Sequence, residues 1–142
     1  MKLTLSTKSY GYSGYELADL LSKDGIVCEF CDPDFLVLMP TPEISDEQLT
    51  RLENALNKIP KRSPITTAPP AMCEAYPSMT PREAIFRPSE TVSVENAKGR
   101  ILSDITVGCP PAVPIVVSGE VIDENAQKVF EYYGITHCSV VK

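Results

Sequence analysis

The chain has 142 residues and is 43% hydrophobic, so it can bury one core or two small ones. Its 13 Lys and Arg residues against 19 Asp and Glu residues give a formal charge of -6. A negative charge repels nucleic acid and anionic membranes, so neither is an expected partner. The densest basic cluster, Lys58, Lys61 and Arg62, lies at the end of a predicted helix, where cations stabilise the helix C-terminus.

The first expected elements are a strand and a helix. Leu3 and Leu5 alternate with polar residues, which predicts a half-buried strand. Ser13 and Glu16 have the spacing of a capping box, and the leucines that follow give one apolar helix face. Gly25 is expected to end this helix.

A hairpin and a second helix follow. The β-favouring runs 26–31 and 35–39 flank the turn sequence Asp32-Pro33-Asp34. Ser45 repeats the capping arrangement, and the amphipathic helix that it opens ends before Pro60. The order β-α-β-β-α predicts a compact two-layer unit.

Three segments are therefore expected. Residues 1–60 form the two-layer small domain, residues 61–80 a proline-rich connector, and residues 81–142 a second small α+β domain. The prolines of the connector remove backbone donors and forbid long regular elements. Because the connector also carries apolar residues such as Ile65, we expect it to lie along its neighbours.

The second domain opens with a helix start signal. Thr80-Pro81-Arg82-Glu83 combines an N-cap, a proline at the first helical position and a capping-box glutamate. This helix should stop by Pro88, and Ser93 should cap another short helix. The stretches 101–107 and 113–117 predict two strands.

The C-terminal elements are a turn, a helix and a strand. Gly119 marks the turn, and Asp123 caps a helix that runs to Tyr133 and ends at Gly134. Residues 135–141 predict a closing strand. The fold class expected for the whole chain is α+β.

No segment predicts export or membrane insertion. Met1–Ser6 holds no apolar stretch of signal-peptide length, and no run approaches the roughly 18 residues that cross a bilayer. The five cysteines are odd in number and lack the spacing of a disulfide framework, which favours reduced thiols. We therefore expect a cytoplasmic protein.

Two patterns resemble metal or catalytic sites but are incomplete. Cys28 and Cys31 have the spacing of a metal or redox pair, yet no second pair completes a zinc site, so core positions in a strand are favoured. His137 and Cys138 are consecutive in a predicted strand and should point to opposite faces, which argues against a Cys-His dyad. No metal centre and no complete catalytic constellation are predicted.

Ser13 and Gly14 lie at a helix N-terminus, where backbone N–H groups can hold an anion. No phosphate-binding motif accompanies them. A helix cap is therefore the favoured interpretation, and an anion contact remains the alternative.

A longer pattern carries a family resemblance. Its segments are Pro81-Arg-Glu-Ala84, Phe86, Pro88, Glu90, Ala97, Gly99-Arg100-Ile101, Pro110-Pro111-Ala-Val-Pro114 and Gly119-Glu120-Val-Ile122. In order and spacing they resemble the C-terminal domain of the bacterial ornithine/lysine/arginine decarboxylases. Upstream, residues 3–7 and 11–16 are similar to the start of the small domain that follows the cofactor domain in these enzymes.

The resemblance implies the C-terminal portion of a decarboxylase that uses pyridoxal phosphate (PLP) and converts ornithine, lysine or arginine to a di- or polyamine precursor. Family members hold PLP on a lysine in a Ser-x-His-Lys segment of a large preceding domain, and none of the eight lysines here has that context. The chain alone is therefore expected to bind no cofactor, to carry no catalytic residue and to be inactive. Its expected partners are the PLP-binding large domain and, through it, the basic amino acid, with self-association left open.

The resemblance also suggests roles for individual residues. Glu120 is the candidate for a carboxylate that faces the substrate entrance, with a turn carboxylate in solvent as the alternative. Arg100, beside Gly99, is expected to pair with an internal or interdomain carboxylate. The loop Pro110–Pro114 is expected to fix the backbone shape.

Three positions depart from the family pattern. Cys109 stands where an aromatic residue is usual, Ala112 where glycine is usual, and Ser118 where proline is usual. Because a fold does not fix a function, a free-standing interaction or small-ligand-binding module of the same fold is the alternative hypothesis.

Overall fold

The computed structural model describes residues 1–72, 75–104, 108–109 and 113–142. The chain divides into two compact units, Met1–Ala68 and Pro69–Lys142. Helices and small antiparallel sheets build these units, which confirms the predicted α+β class. Within the described residues, no helix is long and apolar enough to cross a membrane.

The first unit has the element order β-α-β-β-α. Its elements are β1 (Leu3–Ser6), α1 (Gly14–Ser22), β2 (Phe30–Cys31), β3 (Phe35–Leu38) and α2 (Asp46–Asn57), with a 3-10 turn at Lys8–Tyr10. The strands form an antiparallel sheet in the order β1-β3-β2. Leu36 of the central strand lies opposite Leu5 on one side and Cys31 on the other.

Reciprocal capping boxes start both helices of this unit. The Ser13 Oγ accepts a hydrogen bond from the Glu16 amide at 3.2 Å, while the Glu16 carboxylate accepts one from the Ser13 amide at 2.9 Å. Ser45 and Gln48 repeat this exchange at 3.2 and 2.9 Å. The unit encloses one apolar core, whose buried members are Tyr12, Leu17, Leu21, Leu36, Leu38, Ala55 and Ile59.

Residues 60–67, which we call the strap, lie along the first unit. The Arg62 amide donates to the Tyr10 carbonyl at 3.0 Å, and the Ile65 amide donates to the Lys8 carbonyl at 3.0 Å. These bonds satisfy backbone groups that a free linker would leave to water. The first half of the predicted connector is therefore part of the first unit.

In its described residues, the second unit contains two α-helices, four short strands and a 3-10 turn at Val94–Asn96. The helices and strands are α3 (Pro81–Phe86), β4 (Ser89–Ser93), β5 (Gly108–Cys109), β6 (Val113–Pro114), α4 (Glu124–Tyr132) and β7 (His137–Val141). β4 pairs antiparallel with β7, and β5 with β6. Isolated bridges join Leu102 to Val140 and Ile101 to Val121, so short extended pieces continue the pairing beyond β7.

One apolar core holds the second unit together. Asp123 caps α4 by accepting from the Ala126 amide at 2.7 Å, as predicted. The buried side chains come from α4, β7 and the segments between them, namely Val94, Ala97, Leu102, Ile115, Val116, Ile122, Ala126, Val129, Phe130, Cys138 and Val140.

The short helix predicted after Ser93 is a 3-10 helix, Val94–Asn96, and the structure adds one strand before it. Ser93 ends β4 and occupies the N-cap position of this helix, but its side chain makes no cap bond. Its Oγ accepts instead from the Asn96 side-chain amide at 2.9 Å. The sequence of β4, mostly polar and exposed, lacks the apolar alternation that would have predicted a strand.

Two predicted strands are shorter than expected. The run 26–31 forms a strand only at Phe30–Cys31, since Glu29 lies in a bend, and the run 113–117 only at Val113–Pro114. In the stretch 101–107, Ile101 and Leu102 make isolated bridges, and residues 105–107 lie outside the described residues.

The start of α4 supplies a test of acid stability. The Glu124 carboxylate forms ion pairs with Lys98 Nζ at 2.9 Å and Lys128 Nζ at 3.1 Å. Hydrogen bonds from these two ammonium groups lower the pKa of Glu124 from 4.5 to about 2. A lowered pKa in the folded state stabilises the fold above pH 4.5, and this contribution is lost as the pH falls from 4.5 to about 2.

We therefore expect the melting temperature of Glu124→Gln to fall less than that of the parent protein as the pH is lowered over that range. Thermal unfolding at a series of pH values measures the difference. The matched control is Glu131→Gln on the same helix, because Glu131 contacts no Lys or Arg in the described part of the chain. Equal acid sensitivity of Glu124→Gln and the parent protein would contradict the assignment.

Candidate functional site

The motif at 80–83 starts α3 with a reciprocal capping box. The Thr80 amide donates to the Glu83 carboxylate at 2.9 Å, and the Glu83 amide donates to Thr80 Oγ1 at 3.3 Å. Hydrogen bonding from the Thr80 backbone and side chain lowers the pKa of Glu83, so it is ionised at neutral pH. Its carboxylate thus takes part in the cap, and the cap fixes the direction in which the chain enters α3.

A tight turn at residues 117–120 is held against the segment before α3. The Gly119 carbonyl accepts from the Ser78 amide at 2.8 Å and from the Met79 amide at 3.1 Å. Gly119 has a φ of +92°, and a Cβ at this position would collide with the Met79 carbonyl. The motif segment at 119–122 therefore meets the residues directly before the motif segment at 81–84, about forty residues away in the sequence.

Glu120 closes this turn with its own side chain. Its carboxylate accepts from the Val117 amide at 2.7 Å, its backbone amide donates to the Val117 carbonyl at 3.0 Å, and its side chain is half-buried. Its backbone also bridges to Pro77. One carboxylate oxygen is thus engaged locally, and the other has no hydrogen-bond partner among the described residues.

Arg100 forms a clasp inside the second unit. Its Nη2 donates to Glu90 at 2.7 Å and to the Val141 carbonyl at 2.9 Å. The Arg100 guanidinium lowers the pKa of Glu90 through this hydrogen bond. Gly99, with a φ of +78°, turns the chain so that its amide donates to the Ile122 carbonyl at 2.8 Å. The clasp joins β4 to the end of β7.

The proline loop is described only in part. Pro110 and Pro111 lie outside the described residues. Pro114 is half-buried in β6, where it lies opposite Gly108. Proline is tolerated there because, among the described residues, β6 pairs with β5 alone and its other edge takes no ladder bond.

Ser118 is the second residue of the turn and is buried, with 1% of its surface exposed. Its hydroxyl finds no hydrogen-bond partner among the described residues. The Glu120 amide and the Val117 carbonyl close the turn, and the positive φ of Gly119 is the pattern of a type II turn, which favours proline at the position of Ser118.

We therefore expect Ser118→Pro to stabilise the second unit by about 1 kcal/mol, because it removes a buried unpaired hydroxyl and restricts the unfolded chain. Urea unfolding followed by circular dichroism measures the change. Ser118→Ala is the matched control, since it removes only the hydroxyl and should give a smaller gain. A loss of stability in both variants would show that the hydroxyl has a partner.

Ser13 and Gly14 form a close-packed helix start. The Glu16 carboxylate accepts from both the amide of Ser13 at 2.9 Å and its hydroxyl at 3.2 Å, and the Ser13 amide lowers the pKa of Glu16. Gly14 is buried, and a Cβ there would collide with the carbonyl oxygens of Asp32 and Phe35. An internal carboxylate thus occupies the place that an anion would take.

Among the described residues, Cys31, Cys138 and His137 lie in settings that disfavour thiol chemistry. Burial raises the pKa of Cys31, and the neighbouring Cys28 raises it further. His137 is exposed and Cys138 is buried in β7, so their side chains do point to opposite faces. Burial raises the pKa of Cys138 as well. The thiolate that a nucleophile or metal site requires is therefore disfavoured.

Two buried polar contacts have no sequence signal that would have revealed them. Lys8 Nζ and Asp34 Oδ1 form an ion pair at 2.6 Å, with only 15% and 10% of their side chains exposed. Ser103 Oγ donates to the Ala84 carbonyl at 3.2 Å and anchors α3 on the core of the second unit. Each contact joins residues from distant parts of the sequence, so no local spacing predicts it.

Comparisons with known proteins connect this geometry to a family. The family model "Orn/Lys/Arg decarboxylase, C-terminal domain" matches residues 63–139, more than half of the chain. That range includes α3, the pair of Arg100 with Glu90, and the turn at Gly119.

Two curated relatives carry the name arginine decarboxylase. The protein from Bacillus subtilis is 29% identical over 138 residues, which cover 92% of this chain and 28% of the relative. The protein from Halalkalibacterium halodurans is 26% identical over 133 residues, which cover 87% of this chain and 27% of the relative. The chain thus spans little more than a quarter of these relatives.

Two solved structures share the fold. The E. coli constitutive lysine decarboxylase superposes with a TM-score of 0.61 at 17% identity, covering 92% of this chain and 28% of that one. The Francisella novicida lysine decarboxylase gives a TM-score of 0.70 at 11% identity, covering 99% of this chain and 31% of that one. On the match of its residues 63–139, the chain belongs to the Orn/Lys/Arg decarboxylase C-terminal domain family.

Proposed function

We propose that this chain serves as the C-terminal portion of a PLP-dependent decarboxylase that acts on a basic amino acid and yields a di- or polyamine precursor. The observation that carries the proposal is the convergence of the family's motif segments. Backbone hydrogen bonds join Gly99 and Arg100 to Ile122, and residues 78–79, directly before α3, bond to Gly119. The span of little more than a quarter of the arginine decarboxylase relatives supports a role as one part of a larger enzyme.

The lysines of the chain do not fit the cofactor. Four form ion pairs with carboxylates, and four are exposed on the surface: Lys8, Lys58, Lys98 and Lys128 in the first group, and Lys2, Lys23, Lys61 and Lys142 in the second. A Schiff-base lysine needs an amine held beside partners for the phosphate and the pyridine nitrogen. PLP therefore belongs to the remainder of the enzyme, and the chemistry takes place there.

The contribution of this chain is then mechanical and electrostatic. The turn at 117–120 and the bond from Ser103 to Ala84 hold α3 in place, so the second unit acts as a buttress. Phe86 of the family motif is 79% exposed and Ile85 is 51% exposed, although both are large and apolar. We propose that they contact the cofactor-binding domain. Glu120, with one carboxylate oxygen engaged by Val117, offers the other to a cationic substrate at the entrance.

The proposal is tested with three proteins. They are this chain alone, the B. subtilis arginine decarboxylase truncated to the region that the chain does not match, and a chimera in which this chain replaces the matched region. We expect carbon dioxide release from a basic amino acid only with the chimera. Equilibrium dialysis should show no one-to-one binding of PLP to the chain alone.

Stoichiometric binding of PLP by the chain alone would overturn the proposal. An inactive chimera that is folded and loaded with PLP would favour the free-standing module instead. The chimera Glu120→Gln tests the entrance role, because it should raise KM for the cationic substrate with little change in kcat.

A further inference from the structure

Strand β1 lies at the edge of the first unit's sheet, and half of its backbone groups face away from the sheet. The Thr7 amide donates to the Asp34 carbonyl at 3.2 Å, which fixes the side of the chain that pairs with β3. Amides alternate sides along a strand, so those of Leu3 and Leu5 also face β3. The amides of Thr4 and Ser6 therefore point outward.

The outward groups of β1 are open to a partner. The Ser6 carbonyl accepts from Ser9 Oγ at 3.1 Å. In the part of the chain that the structure describes, no residue pairs with the Thr4 amide, the Thr4 carbonyl or the Ser6 amide. Both residues are exposed. An edge of this kind is a template for one more strand.

A groove of about 410 Å³ runs beside this edge. It is lined by β1 and the segment after it with Tyr10 and Tyr12, by Leu17 of α1, by the end of α2 with Leu56, and by Ile59 just beyond α2. The residues that line it are all uncharged. The groove therefore suits apolar or neutral side chains that project from an extended backbone.

We propose that the outward edge of β1 receives an extended segment from the remainder of the decarboxylase, which adds a fourth strand to the sheet and places its side chains in the groove. This inference rests on the proposed function. An extended backbone is the chemistry that the Thr4 and Ser6 groups recognise, since each needs a carbonyl or an amide at strand spacing. The relatives supply the source, because about 70% of their length lies outside the region that this chain matches.

Hydrogen exchange tests the inference directly. The probes are overlapping peptides of about 12 residues that span the part of the B. subtilis arginine decarboxylase outside the matched region. Each is added to the full chain, and amide exchange is followed by NMR. We expect at least one peptide to slow exchange at Thr4 and Ser6 by about tenfold or more, while Leu3 and Leu5 are already protected without it.

Two variants give the control. Thr4→Pro removes an amide that faces outward, so the pairing of β1 with β3 persists and peptide protection is lost. Thr4→Val keeps the amide and should keep the protection. The inference is overturned if no peptide protects Thr4 and Ser6, if Thr4→Pro retains the protection, or if the two amides are protected by self-association of the chain alone.

The chimera separates the two proposals. One outcome is an active chimera, with activity and PLP content that Thr4→Pro does not change, while no peptide protects β1. That result supports the proposed function and rules out strand addition at β1. An inactive chimera contradicts the proposed function. The peptide measurement then tests by itself whether the edge of β1 binds an extended segment.

Discussion

Gly119→Ala is expected to destabilise the second unit by about 3 kcal/mol, the sum of a left-handed backbone that alanine disfavours and a steric collision. The φ of +92° at Gly119 is a backbone conformation that raises the free energy of any L-residue placed there. The added methyl group would also meet the Met79 carbonyl, whose neighbouring amide donates to Gly119. Relief of the collision must break the contact between the turn and the segment before α3.

Amide exchange at Val129 and Phe130 measures this loss, because both lie fully inside the core of the second unit. Gly134→Ala is the matched control. Gly134 has a φ of +73°, and a Cβ there meets nothing within 4 Å, so only the backbone cost of about 1 kcal/mol remains. Equal losses in the two variants would show that the contact with Met79 is unimportant. In the chimera, Gly119→Ala should also lower activity, since it displaces the face proposed to meet the cofactor-binding domain.

Gly14→Ala should destabilise the first unit by about 2 to 3 kcal/mol, for a purely steric reason. Gly14 is the first residue of α1, and its Cβ would collide with the Asp32 and Phe35 carbonyls on either side of the hairpin turn. Backbone atoms cannot move aside as a side chain can, so the hairpin and α1 must separate. Amide exchange at Leu36, which is fully buried in β3, reports the loss.

Gly25→Ala, at the other end of α1, is the control for this prediction. Its φ is +75° and the nearest atom to an added Cβ is Arg51 Nη1 at 3.9 Å, so it carries the backbone cost of about 1 kcal/mol without the collision. If Gly14→Ala were as mild as Gly25→Ala, close packing would not explain the glycine. An anion contact would then regain support.

The helices were predictable because their signals are local. Ser13, Ser45, Thr80 and Asp123 are each followed at the third position by the residue whose amide they accept from. Four consecutive residues contain the whole mechanism, so the sequence suffices to place each helix start. The hairpin at Asp32-Pro33-Asp34 is predictable for the same reason.

Strand β4 of the second unit was not predictable, because pairing rather than composition makes it, whereas β7 lies within the predicted strand 135–141. β4 is a strand because β7 lies beside it, with Thr91 opposite Ser139, and its own residues are mostly polar. The bridge between Leu102 and Val140 likewise joins residues 38 positions apart. Pairings over such separations depend on the tertiary fold and leave no period in the sequence.

Site residues divide along the same line. Family spacing was enough to single out Arg100, and the expectation of a carboxylate partner was correct in kind, but Glu90 could be named only from the structure. Glu120 was singled out too, whereas its bond to the Val117 amide depends on the turn that Gly119 allows. The direct evidence for an entrance role has to come from the chimera.

The strap has a practical consequence for dividing the protein. Tyr12 donates its hydroxyl to the Pro60 carbonyl at 2.8 Å, and Lys8 donates to the Thr67 carbonyl at 2.6 Å. Trypsin should therefore cut slowly after Lys61 and Arg62, although the prolines around them suggest an open linker. A version of the first unit that ends at Ala68 would keep these bonds. One that ends at Pro60 would lose the bond from Lys8 to Thr67 and the backbone bonds of Arg62 and Ile65.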